Sequence, residues 1–88
     1  MSCCIEIVLK NQTGLHARPA SLFVKEASKY ASQVKVIKDQ KEYNAKSMMG
    51  ILSMGAATGD HLMIVAEGED EEKAIEGLKE LVSRNFGE

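Results

Sequence analysis

The chain has 88 residues, a length that supports one modest hydrophobic core and predicts a single domain over residues 1–88. Its formal net charge is −2, and 44% of its residues are hydrophobic but only 5% aromatic. These values indicate a folded protein and argue against direct nucleic-acid binding, because no segment is densely basic. No apolar run could cross a bilayer, and the first residues lack the pattern of a secretory signal, so we expect a cytoplasmic protein.

The charge is unevenly divided along the chain. Residues 1–50 carry eight Lys or Arg and four Asp or Glu, for a net charge of +4. Residues 51–88 carry three Lys or Arg and nine Asp or Glu, for a net charge of −6. This asymmetry favours the approach of an anionic group or acidic partner to one end, although charge runs commonly serve only to solvate a face.

The first four elements are read from hydrophobic periodicity and turn residues. Ile5, Ile7 and Leu9 alternate with other residues and predict a strand with one buried face. A helix is predicted from Pro19 to about Tyr30. Its apolar stripe consists of Ala20, Phe23, Val24, Ala27 and Ala31. Strand-forming residues on both sides of the polar turn KDQK, residues 38–41, then predict a hairpin of two strands.

The second half adds two helices and a strand. A short helix is predicted after Ser47, a favourable N-cap residue, and should end near Gly55. The run HLMIVAEG predicts the last strand, and DEEKAIEGLKELVSRNF predicts a longer helix with an acidic first turn. The apolar stripe of this last helix consists of Ala74, Ile75, Leu78, Leu81 and Val82. The order β-α-β-β-α-β-α favours an α+β open-faced two-layer sandwich, a four-stranded, mainly antiparallel sheet covered on one face by three helices.

The stretch TGLHARPAS, residues 13–21, combines a helix start with groups suited to phosphate chemistry. Pro19 is tolerated in a first helical turn, and free amides and the helix dipole there favour an anion. His16 offers a nucleophilic imidazole at neutral pH, and Arg18 offers a planar guanidinium. The chain has no nucleotide-binding loop, so a phosphoryl donor would have to be another protein. From the residues alone, the interpretation of His16 and Arg18 as ordinary polar residues of a loop and a first helical turn is favoured over a phosphate site.

TGLHARPAS, together with NAKSMMGILSMG from Asn44 onward, resembles the histidine-containing phosphocarrier protein HPr of the bacterial phosphoenolpyruvate-dependent sugar phosphotransferase system. The resemblance extends over essentially the whole chain. It implies that His16 accepts a phosphoryl group on Nδ1 from phosphorylated enzyme I and passes it to the A domain of a sugar-specific enzyme II. Arg18 would stabilise the phosphohistidine. It also implies that His16 caps the first helix, with Ala17 as the first helical residue, and that the protein is a carrier rather than an enzyme.

The apolar cluster in AKSMMGIL is too dense for one buried stripe of a short helix, so part of it should face solvent. Filling the core is the alternative for each of its side chains. Methionine suits a surface that meets several partners. The resemblance implies partner contacts at Ala17, Ser21, Met48, Met49 and Leu52.

Ser47 has a sufficient structural role as an N-cap residue. The resemblance adds a regulatory role, because in many such carriers a dedicated kinase/phosphorylase modifies the matching serine. The phosphorylated product then binds a carbon catabolite transcription regulator. The run NAKSMMG is closer to this regulated branch than to the enteric branch, in which a basic residue usually stands at the position of Gly50.

Three alternatives to the carrier remain. A purely regulatory relative would act through Ser47 and would lack the active histidine. A nitrogen-related phosphotransfer paralogue would keep the histidine and differ in its partners. A generic small α+β ligand-binding module would make both motifs coincidental.

The remaining polar residues predict no further chemistry. We expect a monomer without a metal or organic cofactor. Cys3 and Cys4 should be reduced thiols on opposite faces of a strand, and a zinc site joining them to His16 and His61 fits no familiar ligand spacing. His61 is expected to be structural or exposed to solvent. Solvation is sufficient to explain the surface charges Lys25 and Lys29.

Overall fold

The structure is a computed structural model that describes residues 2–87. Its elements follow the predicted order. They are β1 Cys3–Val8, α1 Ala17–Ala27, β2 Gln33–Lys38, β3 Lys41–Asn44, α2 Met48–Ser53, β4 His61–Glu67 and α3 Glu71–Ser83. A single 3-10 turn, Asn85–Gly87, follows α3.

The four strands form one antiparallel sheet in the order β1-β4-β2-β3. Ile7 lies opposite Leu62, and Val36 lies between Ile64 and Tyr43. Because residues paired across strands share a face, these apolar side chains collect on one side of the sheet. The helices cover that side, and the predicted α+β open-faced sandwich is confirmed.

Cys3 and Cys4 lie at the start of β1. Cys3 is half-buried against the core and Cys4 is exposed, and both are free thiols. Among residues 2–87, no group of three or more His, Cys, Asp or Glu side chains could hold a metal ion. None of the helices described in this range combines the length and apolar character needed to cross a bilayer.

Helix α1 ends earlier than predicted. The pattern extended it to about Tyr30 with Ala31 on the buried stripe, whereas the helix ends at Ala27 and Ala31 is exposed. The backbone N–H of Ala31 instead donates to Oδ2 of Asp70 at 2.9 Å. A tertiary hydrogen bond to Asp70 therefore replaces a helical one at Ala31. Local periodicity contains no information about such a distant partner.

The last helix also ends before the pattern does. All five residues of its predicted stripe are buried, but α3 ends at Ser83. Asn85 and Phe86 follow with left-handed backbones, at φ 54° and 55°. This left-handed turn directs the Phe86 side chain into the core, where it is 2% exposed. Burial of a large aromatic ring offsets the unfavourable backbone.

Asp70 joins the end of α1 to the start of α3. Its carboxylate accepts hydrogen bonds from the Ser32 hydroxyl at 2.5 Å and from the backbone N–H groups of Ala31 and Ser32 at 2.9 Å. The Ser32 hydroxyl, followed by the Ala31 N–H, lowers the pKa of Asp70 to about 2. The ionised carboxylate is therefore part of the folded structure.

This geometry predicts how the protein responds to acid. Since the folded pKa of Asp70 lies below the ordinary value of about 3.9, its contribution is complete above that value and is lost as the pH falls toward 2. Urea unfolding should show a smaller loss of stability between about pH 5 and pH 2 in Asp70→Asn than in the wild type. Asp39→Asn, in an exposed turn, should keep the wild-type loss. Equal losses in all three proteins would contradict the prediction.

Gly77 lets α3 pass close to α1. A Cβ atom built at this position would overlap the Tyr30 hydroxyl and would lie 2.6 Å from Oε2 of Glu26. These two groups are hydrogen-bonded to each other at 2.8 Å. The bond to Glu26 is the main reason that the pKa of Tyr30 is raised to about 12. The contact is therefore specific to a residue without a side chain.

Gly77→Ala should lower the free energy of unfolding by about 1 kcal/mol. The gain in helix propensity, about 1 kcal/mol, is outweighed by loss of a hydrogen bond to a charged group, about 1.5–3 kcal/mol. The pKa of Tyr30, measured by ultraviolet titration, should fall toward its ordinary value. Gly50→Ala in α2 is the matched control, since a Cβ there would have its nearest atoms at 3.4 Å, an ordinary van der Waals contact. This substitution should stabilise the protein through helix propensity. Stabilisation by both substitutions would refute this account.

Candidate functional site

The segment that carries His16 is held by the loop between α2 and β4. The Leu15 N–H donates to the Ala56 carbonyl at 3.0 Å, and the Gly59 N–H donates to the Leu9 carbonyl at 2.7 Å. Leu15 is buried, while the neighbouring His16 is exposed. The histidine therefore projects from a backbone that is fixed on both sides.

His16 is the N-cap residue of α1, with an extended backbone at φ −81° and ψ −170°. Its carbonyl accepts the first helical hydrogen bond, from the Ala20 N–H at 2.8 Å, but its imidazole forms no capping hydrogen bond. The register implied by the resemblance is confirmed: Ala17 is the first helical residue and Pro19 the third. The imidazole is thus held in place by its backbone while its ring stays exposed to solvent.

The first turn of α1 is electrostatically suited to an anion. It contains no acidic residue, and Arg18 is exposed in its second position. Within residues 2–87, no carboxylate forms an ion pair with Arg18. First-turn N–H groups lack helical partners and carry the positive end of the helix dipole. A negative group on His16 would therefore meet both backbone amides and an uncommitted guanidinium.

A depression of about 420 Å³ adjoins the imidazole. It is lined by Gln12, Thr13, His16, Ala57 and Thr58. A slightly larger depression of about 470 Å³ lies on the open face of the sheet, between residues such as Lys35, Glu42 and Val65. Only the first contains a histidine, so the chemistry of the lining, and not the volume, identifies the candidate site.

Ser47 caps α2 as the sequence predicts. Its Oγ accepts the Gly50 N–H at 3.1 Å, and its carbonyl accepts the Ile51 N–H at 3.0 Å. Gly55 follows the helix with φ 65°, in the role expected of a residue just beyond a C-cap. A phosphoryl group on Ser47 would sit at the start of this helix.

The apolar residues of α2 divide between core and solvent. Met49 is 82% exposed and Leu52 is 42% exposed, whereas Ile51 is buried and Met48 packs half-buried against the core. Helix α2 packs against α1, whose residues Ala17 and Ser21 are exposed. We call Ala17, Ser21, Met48, Met49 and Leu52 the docking face. It lies on the helix that His16 begins and on the helix packed beside it.

Other polar candidates lie apart from this arrangement. His61 is exposed at the start of β4, Lys25 is exposed, and Lys29 forms a 2.9 Å surface ion pair with Glu26. Two features escaped the sequence analysis. They are the close packing of Gly14 and the hydroxyl of Thr58, which contacts the loop before His16. The close packing of Gly14 could have been suspected from the sequence, because a glycine stands two residues before His16.

Comparison with known proteins matches this geometry. A family model described as "PTS HPr component phosphorylation site" covers residues 4–84. HPr-like protein Crh of Bacillus subtilis (strain 168) is 50% identical over 74 residues, which cover 84% of this chain and 85% of that protein. Phosphocarrier protein HPr of Mycoplasma capricolum is 41% identical over 73 residues, which cover 83% of this chain and 82% of that protein.

Solved structures share the fold. A crystal structure of HPr-C-His from Thermoanaerobacter tengcongensis superposes with a TM-score of 0.96 at 53% identity, covering 98% of this chain and 97% of that one. A crystal structure of an HPr dimer from the same organism gives a TM-score of 0.80 at 56% identity, covering 93% and 94%.

Proposed function

Because the chain belongs to the HPr family of the bacterial phosphotransferase system, we propose that it is a phosphoryl carrier whose acceptor is the Nδ1 atom of His16. The observation that carries this proposal is the exposed imidazole at the N-cap of α1, followed by Arg18 in a first turn without acidic residues. The donor would be phosphorylated enzyme I, and the recipients would be the A domains of sugar-specific enzymes II.

The geometry supports each half of the transfer. The lone pair of Nδ1 attacks the phosphorus as the donor's bond to the phosphoryl group breaks, and an N–P bond forms. The new charge is stabilised by the Arg18 guanidinium and the first-turn amides. The N–P bond keeps the group readily transferable, so the same residue can pass it on. The chain is a covalently modified carrier and does not turn over a substrate alone.

Incubation with phosphoenolpyruvate and purified enzyme I tests the proposal. Intact-mass measurement should show one added phosphoryl group, which is lost in acid and is mapped to His16 by fragmentation. Omission of enzyme I should leave the mass unchanged. Addition of an enzyme II A domain should discharge the carrier. A protein that stays unmodified with active enzyme I would contradict the assignment.

The docking face supplies a reason for protein partners rather than small substrates. Its exposed methionine and leucine lie on α2, the helix that packs against α1, and leave His16 open to solvent. Partner contacts at Ala17, Ser21, Met48, Met49 and Leu52 would bring a phosphorylated donor close to His16. We expect a cytoplasmic monomer, so that the face can meet each partner in turn. A dimer like that solved for the Thermoanaerobacter tengcongensis relative is the alternative, and sedimentation distinguishes the two.

A second, regulatory function is favoured by Ser47. The similarity to Crh and the position of Ser47 at the start of α2, beside exposed Met49, support modification by a kinase/phosphorylase and binding to a carbon catabolite regulator. A purely regulatory relative is expected to lack the active histidine, whereas His16 is present here. Phosphorylation of His16 by enzyme I would separate a carrier from such a relative. A nitrogen-related paralogue would accept phosphate preferentially from its own enzyme I, and parallel assays with both donors identify it.

Ser47→Asp should preserve the fold and slow phosphoryl acceptance about tenfold. Aspartate is also a good N-cap residue, and its charge is favourable at a helix N-terminus. The same charge would repel an acidic donor from the docking face. Initial rates with enzyme I and thermal unfolding measure the two effects. Ser47→Ala is the control: it should lose about 1 kcal/mol of stability but keep the wild-type rate. An undiminished rate in Ser47→Asp would refute the electrostatic account.

A further inference from the structure

Thr58 connects the loop after α2 to the loop before His16. Its Oγ1 lies 2.5 Å from the Asn11 carbonyl oxygen and 3.1 Å from the Gln12 carbonyl oxygen. A hydroxyl has one proton, so it donates to one of these carbonyls or is shared between them. Either bond joins segments that are more than forty residues apart in the chain.

Asn11 joins this connection to the turn of residues 11–14, which precedes His16. Its side chain is buried, and Nδ2 donates to the Gly14 carbonyl at 2.7 Å. The Gly14 N–H returns to the Asn11 carbonyl at 3.3 Å. The Asn11 carbonyl therefore accepts both from Thr58 and from the Gly14 N–H that closes this turn. The turn ends two residues before His16.

The buried side chain of Asn11 is held by its amide nitrogen rather than by its amide oxygen. Its Oδ1 atom is buried and has no hydrogen-bond partner among residues 2–87. A buried acceptor without a partner is costly. The amide nitrogen fixes the Gly14 carbonyl, so the Asn11 side chain shapes the turn that precedes His16.

We infer that Thr58 is a positioning residue for phosphoryl acceptance at His16 and that it acts through Asn11. This inference rests on the proposed carrier function. Thr58 and Ala57 line one side of the depression beside the imidazole, and Gln12 and Thr13 line another. The hydroxyl holds these sides together. Small displacements of a nucleophile from its reactive geometry slow transfer strongly, so loss of the hydroxyl affects the reaction step more than docking.

The test compares Thr58→Val, which removes the hydroxyl at nearly constant shape, with Thr58→Ser, which restores it. The assay measures the turnover of enzyme I with phosphoenolpyruvate as donor and this protein as acceptor. With Thr58→Val as acceptor, kcat should fall about fivefold to tenfold with little change in the KM for the acceptor, and Thr58→Ser should recover most of the loss. Ser83→Ala is the matched control, since it removes a hydroxyl that donates to the Glu80 carbonyl at 2.8 Å in α3. Its kcat should equal that of the wild type. A wild-type kcat in Thr58→Val, or a loss that serine does not restore, overturns the inference.

A measurement without any partner separates this inference from the carrier function. Backbone amide NMR shifts of Gly14, Leu15 and His16 should change in Thr58→Val and stay constant in Ser83→Ala. Unchanged shifts in Thr58→Val overturn the positioning role even if the wild type is phosphorylated. If the wild type accepts no phosphoryl group while the shifts change, the carrier function fails and the connection between the loops stands.

Discussion

His16→Ala is expected to remove phosphoryl acceptance completely and to leave the fold unchanged. The ring is exposed and forms no capping hydrogen bond, so its loss opens no cavity and should change the free energy of unfolding by less than about 0.5 kcal/mol. The transfer rate should fall more than about a thousandfold, because the depression beside this position contains no other nitrogen nucleophile suited to phosphoryl transfer. Rapid-quench assays with enzyme I, paired with thermal unfolding, measure both quantities.

The other histidine provides the control for this experiment. His61 is also exposed, but it lies at the start of β4 and outside the depression that adjoins His16. His61→Ala should therefore accept one acid-labile phosphoryl group at the wild-type rate. The proposal would be contradicted if His16→Ala still accepted an acid-labile phosphoryl group. It would also be contradicted if His61→Ala accepted none.

The sequence could predict the elements because their signals are local. The alternation around Ile5 and Ile7, the stripe in α3 and the N-cap at Ser47 are each specified by a few neighbouring residues. Amphipathic patterns also determine which face of each element is buried. With four strands and three such helices, few arrangements bury every apolar face, so the open-faced sandwich followed from the pattern.

The helix ends could not be predicted in the same way. Asp70 takes the backbone N–H of Ala31 across a separation of 39 residues, and no local pattern encodes that bond. Phe86 continues the helical appearance of α3, yet its backbone turns left-handed so that the ring can be buried. In both places a tertiary contact outweighs local propensity.

The residues of the candidate site also differ in whether local sequence or tertiary structure reveals them. His16, Arg18 and Ser47 are visible because short motifs contain them, and the structure shows their positions rather than their chemistry. The register of α1 is different: Pro19 alone allowed either the first or the third helical position, and the structure places it third. Thr58 was missed because its role depends on a hydrogen bond between distant loops.

Gly14→Ala is expected to be the most damaging single-methyl substitution near the site. Gly14 has φ 63°, and a Cβ there would lie 2.7 Å from the Ala56 carbonyl oxygen and 2.8 Å from the Ala57 Cα. Both atoms belong to the backbone and cannot rotate away. The left-handed conformation costs about 1–2 kcal/mol, and overpacking adds about 1–3 kcal/mol. Urea unfolding should show a loss of about 3 kcal/mol.

Gly55→Ala separates the two causes, because Gly55 has nearly the same backbone, φ 65°, but no atom within 4 Å of its Cβ position. It should lose only the conformational part, about 1–2 kcal/mol. The difference between the two variants measures the close approach of the His16 loop to residues 56–57. Since relief of the contact requires the loop to move, Gly14→Ala should also accept phosphate more slowly under conditions where it remains folded. Equal losses of stability in the two variants would show that backbone conformation alone, and not this contact, requires glycine beside the acceptor histidine.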